Sequence, residues 1–250
     1  YHLAHDPEHL PDLPSVQEFR QHAGCVVLPK ARVSALCFDK LDLKLGMAVR
    51  APDGGTMQLW QPWSILAYQI GGRQGLKILS GDEAERESPP AENVLREILE
   101  LPRKEGLATL VLIDEVLMYA REKVIQDPAM RLRLQDFFQC LTQAAAKTDH
   151  ACVVISLLAT EPRKSDQLGK EIVQELYNVV RRQAERGIQP VEKQDVAEVL
   201  RRRFFTPESI AKREGFRANV VSALEGIQAL DEQTRKGRQT EEERYLFSFP

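Results

Sequence analysis

The chain has 250 residues, of which 43% are apolar and 28% charged, and its 34 basic and 37 acidic side chains give a formal charge of −3. This length suits one large domain, or one domain with a small appendage, and the near-neutral balance gives no overall electrostatic reason for nucleic-acid binding. No apolar run approaches the ~20 residues that cross a bilayer, and the first residues, YHLAHDPEHL, lack the apolar segment of a signal peptide. The four cysteines are scattered and form no CxxC pair, which favours reduced core thiols in a cytoplasmic protein; they are Cys25, Cys37, Cys140 and Cys152.

The first part of the chain alternates strand and helix patterns. In chain order we predict a helix tail over 1–5, a short helix over 15–23, a strand over 31–38, a loop over 40–58 and a helix over 59–72 that stops at a Gly-Gly pair. A polar loop over 80–90 is followed by a helix over 91–104, a strand over 107–114, a helix containing Leu117 and Ala120, and a helix over about 129–147. The run ACVVISLL over 151–158 predicts a strand that is buried on both faces.

The rest of the chain is mainly helical. After a loop over 160–167 we predict a helix over about 168–180, a short strand over 188–191, a helix over about 196–204 and a further helix that starts at Thr206-Pro207. The alternation predicts an α/β fold with a parallel sheet over 1–192. The helical tail predicts a smaller, lid-like subdomain over 193–250.

Two adjacent acids, Asp114 and Glu115, end the apolar run 110–113. In a parallel sheet, ligands bind beyond the carboxyl ends of the strands. An Asp and a Glu at that edge suit a Walker-B pair, in which the Asp holds Mg²⁺ and the Glu polarises the attacking water. The alternative is a strand that ends in solvated acids.

The matching phosphate loop, GxxxxGK[ST], does not occur in the sequence. The nearest string is GGRQGLKILS over 71–80, and we reject it because it follows a predicted helix instead of a strand. We expect the phosphate loop and its strand to lie before residue 1, so that these 250 residues alone would bind ATP poorly.

Several segments together resemble the AAA+ ATPases predicted in a bacterial and archaeal family of unknown function, whose members are large proteins often associated with phage defence. The segments are KARVSAL, LWQPWSILAYQIGG, SPPAENVLREILE, LVLIDEVLMYAR, ACVVISLLATE and VEKQDVAEVLRRRFF. The resemblance implies a P-loop NTPase-like core of three layers with a helical lid, using ATP and Mg²⁺. It also implies an oligomer, or a complex with other defence proteins.

The resemblance further implies roles for single residues. Asp114 corresponds to the magnesium acid, Glu115 to the catalytic acid and Ser156 to the polar sensor of the γ-phosphate. Arg181 or Arg182 corresponds to an arginine finger that acts on a neighbouring subunit.

Other polar and aromatic features have competing interpretations. Within the run Arg201–Arg203, Arg202 is a candidate phosphate contact to nucleotide or DNA, although three consecutive positions point around a helix and favour a solvated face. We expect Trp60, Trp63 and the Phe137-Phe138 pair to pack in the core, with base stacking as the alternative for the tryptophans. His2, His5 and His9 are expected to be solvated.

The function predicted from the sequence is an ATP-driven switch. The alternatives are a non-hydrolysing scaffold or nucleotide-sensing module, and a DNA-binding adaptor.

Overall fold

The computed structural model describes residues 29–156 and 167–182, together with Gln17, Gln21 and His22. Its strands are β1 (Ala31–Cys37), β2 (Met47–Arg50), β3 (Thr56–Leu59), β4 (Ala108–Asp114) and β5 (Ala151–Ile155). Its helices are α1 (Pro62–Ser80), α2 (Glu92–Glu100), α3 (Val116–Gln126), α4 (Met130–Ala146) and α5 (Gln167–Arg181). None of these helices is long and apolar enough to span a membrane.

The main sheet confirms the predicted parallel α/β arrangement. Within the described residues it has three strands in the order β1-β4-β5, and both pairs are parallel. Parallel neighbours need crossover connections; α1 and α2 lie between β1 and β4 in sequence, and α3 and α4 lie between β4 and β5. The sheet brings the carboxyl ends of all three strands to one edge.

The central strand β4 is covered most completely on one face. Thr109, Val111 and Ile113 are buried, whereas the residues between them are half-buried. Such alternation follows from the two-residue period of a strand. The Thr109 hydroxyl donates a hydrogen bond of 2.7 Å to the Leu99 carbonyl at the end of α2. The buried face therefore packs on the helical layer.

Segment 40–58 was predicted as a loop, and this is wrong in part. Strands β2 and β3 form an antiparallel hairpin, with Met47 opposite Leu59 and Arg50 opposite Thr56. The turn residues Pro52, Asp53, Gly54 and Gly55 that suggested a loop form only the tip. The hairpin contributes Val49 and Leu59 to the core.

Element α1 runs from Pro62 to Ser80, but it consists of two helices that meet at a kink at Gly72. The predicted helix stop at the Gly-Gly pair is therefore confirmed, and a second helix follows it directly. Gly72 has φ 57° and ψ −138°, a conformation open essentially to glycine alone. Beyond the kink the chain folds back and brings Gly75 close to Ala67, so that a Cβ added at Gly75 would lie 2.0 Å from the Ala67 carbonyl oxygen.

Aromatic side chains join the helices in the core. The Phe137 ring lies 5.7 Å from the Trp63 ring and 5.4 Å from the Phe138 ring, measured between centroids, in tilted arrangements. Such geometry is favoured by the ring quadrupoles. All three side chains are fully buried, which confirms the core prediction for them. Trp60, by contrast, is 37% exposed.

Strand β5 does not match its prediction as a strand buried on both faces. Val154 is 51% exposed, and Cys152 is exposed as well, so one face of β5 is open. The prediction of a core thiol is therefore wrong for Cys152. Cys37 and Cys140 are half-buried, and all three thiols are free.

The described residues belong to the first of two units into which the chain divides, Tyr1–Arg186. The predicted helix tail 1–5, the strand over 188–191 and the lid over 193–250 lie outside the described residues, as do Cys25, His2, His5 and His9.

Candidate functional site

The three parallel strands end together at the edge where the acidic pair was expected. Cys37 is the register partner of Asp114 at the ends of β1 and β4. On the other side, the Ser156 amide donates a hydrogen bond of 2.8 Å to the Ile113 carbonyl. Asp114 and Ser156 are therefore next to each other along the edge.

The two carboxylates have different surroundings. Asp114 is exposed and Glu115 is half-buried. The Asp114 Oδ1 accepts a hydrogen bond of 3.0 Å from the Glu115 amide, which fixes the Asp114 side chain against the start of the following turn. Neither acid forms an ion pair with another described residue.

The backbone of Glu115 is in the left-handed region, with φ 55° and ψ 35°. A residue with a Cβ rarely adopts this conformation, and such outliers often occur at functional sites. Glu115 precedes α3 directly, so the chain turns within one residue from the central strand into a helix. The turn leaves both acids at the carboxyl end of β4, Asp114 exposed and Glu115 half-buried.

An aromatic contact packs the first turn of α3 against the segment that follows β1. The Tyr119 ring lies 5.2 Å from the Phe38 ring, which follows β1. Tyr119 is only 4% exposed, and its hydroxyl has no hydrogen-bond partner within the described part of the chain. Burial, aided by the Glu85 carboxylate, raises the pKa of Tyr119 well above its usual range. Sequence reasoning missed this contact, because it depends on the angle at which α3 leaves β4.

The candidate arginines lie elsewhere in the described structure. Arg181 is at the exposed end of α5, with its guanidinium 5.9 Å from the centre of the Tyr177 ring. That distance permits a cation–π contact on its own helix. Arg182 follows it and is exposed as well. Arg202 lies outside the described residues.

Helix α5 is held to α4 by a charged cluster around Arg131. The Arg131 guanidinium bonds to Glu171 at 3.0 Å and to Glu175 at 2.5 Å. Glu175 also accepts a hydrogen bond from Gln135. The hydrogen bonds from Arg131 are the main reason that the pKa of Glu175 is lowered. The cluster fixes the helix that carries the two candidate arginines.

The donor set at the edge suits a hard cation. Two carboxylates and one hydroxyl offer only oxygen, and Mg²⁺ takes few protein ligands and keeps several waters. No group of three or more potential metal ligands forms among the described residues, so a metal bound here would need ligands from water or from a phosphate. The rejected string 71–80 is part of α1, which agrees with its exclusion as a phosphate loop.

Comparison with known families gives one match, a model described as the DUF499 N-terminal domain, over residues 6–188. Neither the curated proteins nor the solved structures give a match. The matched range covers more than half of the chain and includes every described strand, the acidic pair and Ser156. The chain therefore belongs to the DUF499 N-terminal domain family, a family of unknown function.

Proposed function

We propose that the edge formed by Asp114, Glu115 and Ser156 is the magnesium and water side of a nucleoside triphosphatase site. The observation that carries this proposal is the position of two acids at the carboxyl end of the central parallel strand, beside Ser156, which follows the next strand. Neither acid has an ion-pair partner among the described residues. Ligands of parallel α/β sheets bind at this edge. The AAA+ resemblance of the sequence points to ATP as the nucleotide.

Each residue has a distinct proposed role. Asp114 would hold Mg²⁺, directly or through a coordinated water, and the metal would supply positive charge beside the phosphates. Glu115 orients the water that attacks the terminal phosphorus and accepts its proton as the bond to the leaving phosphate breaks. Ser156 donates a hydrogen bond to a terminal phosphate oxygen.

The phosphates also need donors that these 250 residues do not supply as a GxxxxGK[ST] motif. A strand that carries such a loop would complete the site if it joined the sheet beside β5, because its carboxyl end would then lie next to Ser156. Among the described strands, β5 has one pairing side free. Arg181 or Arg182 of a second subunit would then reach the phosphates in an oligomer.

The test is steady-state ATP hydrolysis by the full-length gene product that contains these residues. We expect Glu115→Gln to keep ATP binding and to lower turnover by at least about 10²-fold, because the water loses its base. Asp114→Asn should weaken Mg²⁺ binding, so that a higher Mg²⁺ concentration is needed for half-maximal turnover. Glu122→Gln is the matched control, since Glu122 is an exposed acid on α3, the helix that Glu115 directly precedes.

Turnover of Glu115→Gln equal to that of the unchanged protein would remove Glu115 from the mechanism. Absence of any ATP binding by the full-length product would instead favour the scaffold alternative.

A further inference from the structure

A cleft lies at the end of the sheet opposite to the acidic pair. Its volume is about 410 Å³, within the roughly 300–1,000 Å³ typical of small-molecule sites. One wall comes from Arg32 at the start of β1 and from residues 101–105, which lead into β4. The amino ends of β1 and β4 therefore border the cleft, so it is separate from the proposed nucleotide edge.

The other walls come from the hairpin tip and the kink of α1. Pro52 and Asp53 lie on the hairpin side, and Gly71, Gly72 and Gln74 on the helix side. The kink forms this wall tightly, because a Cβ at Gly72 would lie 3.4 Å from the Ala51 Cβ and 3.9 Å from Asp53 Oδ2. Ile70 and Leu101 add buried apolar surface.

The charges that line the cleft are balanced but not all paired. Arg32 forms a bond of 2.6 Å with Glu105, which neutralises both groups. Asp53 and Lys104 have no ion-pair partner within the described part of the chain, and they do not reach each other within 4.0 Å. An exposed anion, Asp53, and an exposed cation, Lys104, thus border the same space. Asp53 also interacts electrostatically with the nearby Arg73, whose main partner is Glu83.

Asp53 is held in a fixed orientation by its own turn. Its Oδ1 accepts a hydrogen bond of 2.9 Å from the Gly55 amide, while Oδ2 is the oxygen that lies towards Gly72. Arg32 also has unused N–H groups, since its side chain has five donors and its hydrogen bond goes to Glu105. The cleft can therefore bind an anionic group on one side and a cationic group on the other.

We propose that this cleft binds a small zwitterion, an α-amino acid with an aliphatic or amide side chain. The carboxylate would contact Lys104 and the free donors of Arg32, and the ammonium would contact Asp53 Oδ2. The side chain would lie against Ile70 and Leu101, with the Gln74 amide near its polar end. A ligand with one charge would contact only one of Asp53 and Lys104, so a zwitterion makes one more charge-assisted contact.

The experiment is saturation-transfer NMR on the 250-residue chain with L-leucine and with L-glutamine as probes. Isopentylamine and 4-methylpentanoate serve as comparators, since each keeps the leucine skeleton but only one of its charges. We expect at least one of the two amino acids to bind. Each single-charge comparator should bind at least about tenfold more weakly than that amino acid.

Two variants and two matched controls locate the site. Asp53→Asn removes the charge but keeps the acceptor for Gly55, and Asp82→Asn is its control, because Asp82 makes the same kind of bond, 3.0 Å, to the Ala84 amide. Lys104→Gln has the neighbouring exposed Arg103→Gln as its control. We expect Asp53→Asn and Lys104→Gln to weaken amino-acid binding about tenfold and the controls to bind normally.

Three outcomes would overturn the proposal: no signal from either amino acid, equal binding of a single-charge comparator, or normal binding by both cleft variants. Near-ultraviolet circular dichroism of each variant shows whether a loss of binding comes from misfolding. Asn and Gln are close in size to the residues they replace at these exposed positions, so we expect the variants to fold normally. The result does not depend on ATP hydrolysis.

Discussion

At the scale of single residues, the backbone of Glu115 makes a prediction that is independent of catalysis. A residue with a Cβ in the left-handed region costs about 1–2 kcal/mol, whereas glycine adopts that region freely. We expect Glu115→Gly to unfold with a free energy about 1 kcal/mol higher than that of Glu115→Ala, despite the greater entropy of the unfolded glycine chain. Urea unfolding of the two variants measures the difference.

If Glu115→Ala is as stable as Glu115→Gly, the strained turn described for φ 55° is not present in solution. Leu117→Gly and Leu117→Ala form the control pair, since Leu117 lies inside α3 and there the glycine should be the less stable residue.

The sequence predicted which residues meet at the edge but not how their backbone turns. Asp114, Glu115 and Ser156 follow apolar strand runs, and parallel strands end at a common edge, so their proximity could be inferred. The positive φ of Glu115 and the buried contact of Tyr119 with Phe38 could not. Both depend on the angle at which α3 leaves β4, and tertiary packing sets that angle.

At the scale of an element, two glycines near the kink of α1 have different surroundings, which predicts different effects of substitution. A Cβ at Gly75 would lie 2.0 Å from a backbone oxygen of Ala67, whereas a Cβ at Gly71 would meet only the end of the Leu101 side chain, at 2.4 Å. A side-chain end can rotate away, and a helix backbone cannot. We expect Gly75→Ala to destabilise the chain by about 2 kcal/mol or more, and Gly71→Ala by less than about 1 kcal/mol.

Thermal and urea unfolding of both variants test this order. Gly81→Ala gives a reference for backbone strain alone, because Gly81 has φ 87° and nothing lies within 4 Å of its added Cβ. Equal stability of Gly75→Ala and Gly71→Ala would contradict the folded-back arrangement of the two helix segments.

The error at this scale was to extend the loop prediction from the turn residues to the whole of segment 40–58. Pro52, Asp53, Gly54 and Gly55 do form a turn, but they form the tip of a hairpin with strands of only four residues each. Strands this short show little alternation to detect. Gly71 and Gly72, by contrast, do end a helix as predicted. The sequence did not show that a second helix follows at once and folds back, which brings Gly75 against Ala67.

At the scale of the whole molecule, the open face of β5 is the largest departure from the predicted buried sheet. Cys152 on this face is exposed, whereas burial raises the pKa of the Cys140 thiol and lowers its reactive fraction. In a Cys25→Ser background we expect iodoacetamide to alkylate Cys152 at least about tenfold faster than Cys140.

Peptide mass spectrometry over a time course gives the two rates, and the same reaction in urea should show them nearly equal. Slow labelling of Cys152 in the folded protein would mean that another segment or molecule covers this face. The run over 151–158 could not reveal the open face, because an apolar strand sequence shows what a sheet can bury and not whether a neighbour is there to cover it.

The hairpin and α1 also place the two tryptophans of the chain in contrasting surroundings. Trp63 is fully buried, while Trp60 is partly exposed beside Gly46 and donates a hydrogen bond of 3.0 Å to the Lys44 carbonyl. Only Gln61 and Pro62 separate them in sequence. The protein thus carries two tryptophan fluorophores, one in the core and one that is partly exposed to solvent. Changes in its tryptophan emission can therefore distinguish loosening of the segment around Trp60 from unfolding of the core, without an added dye.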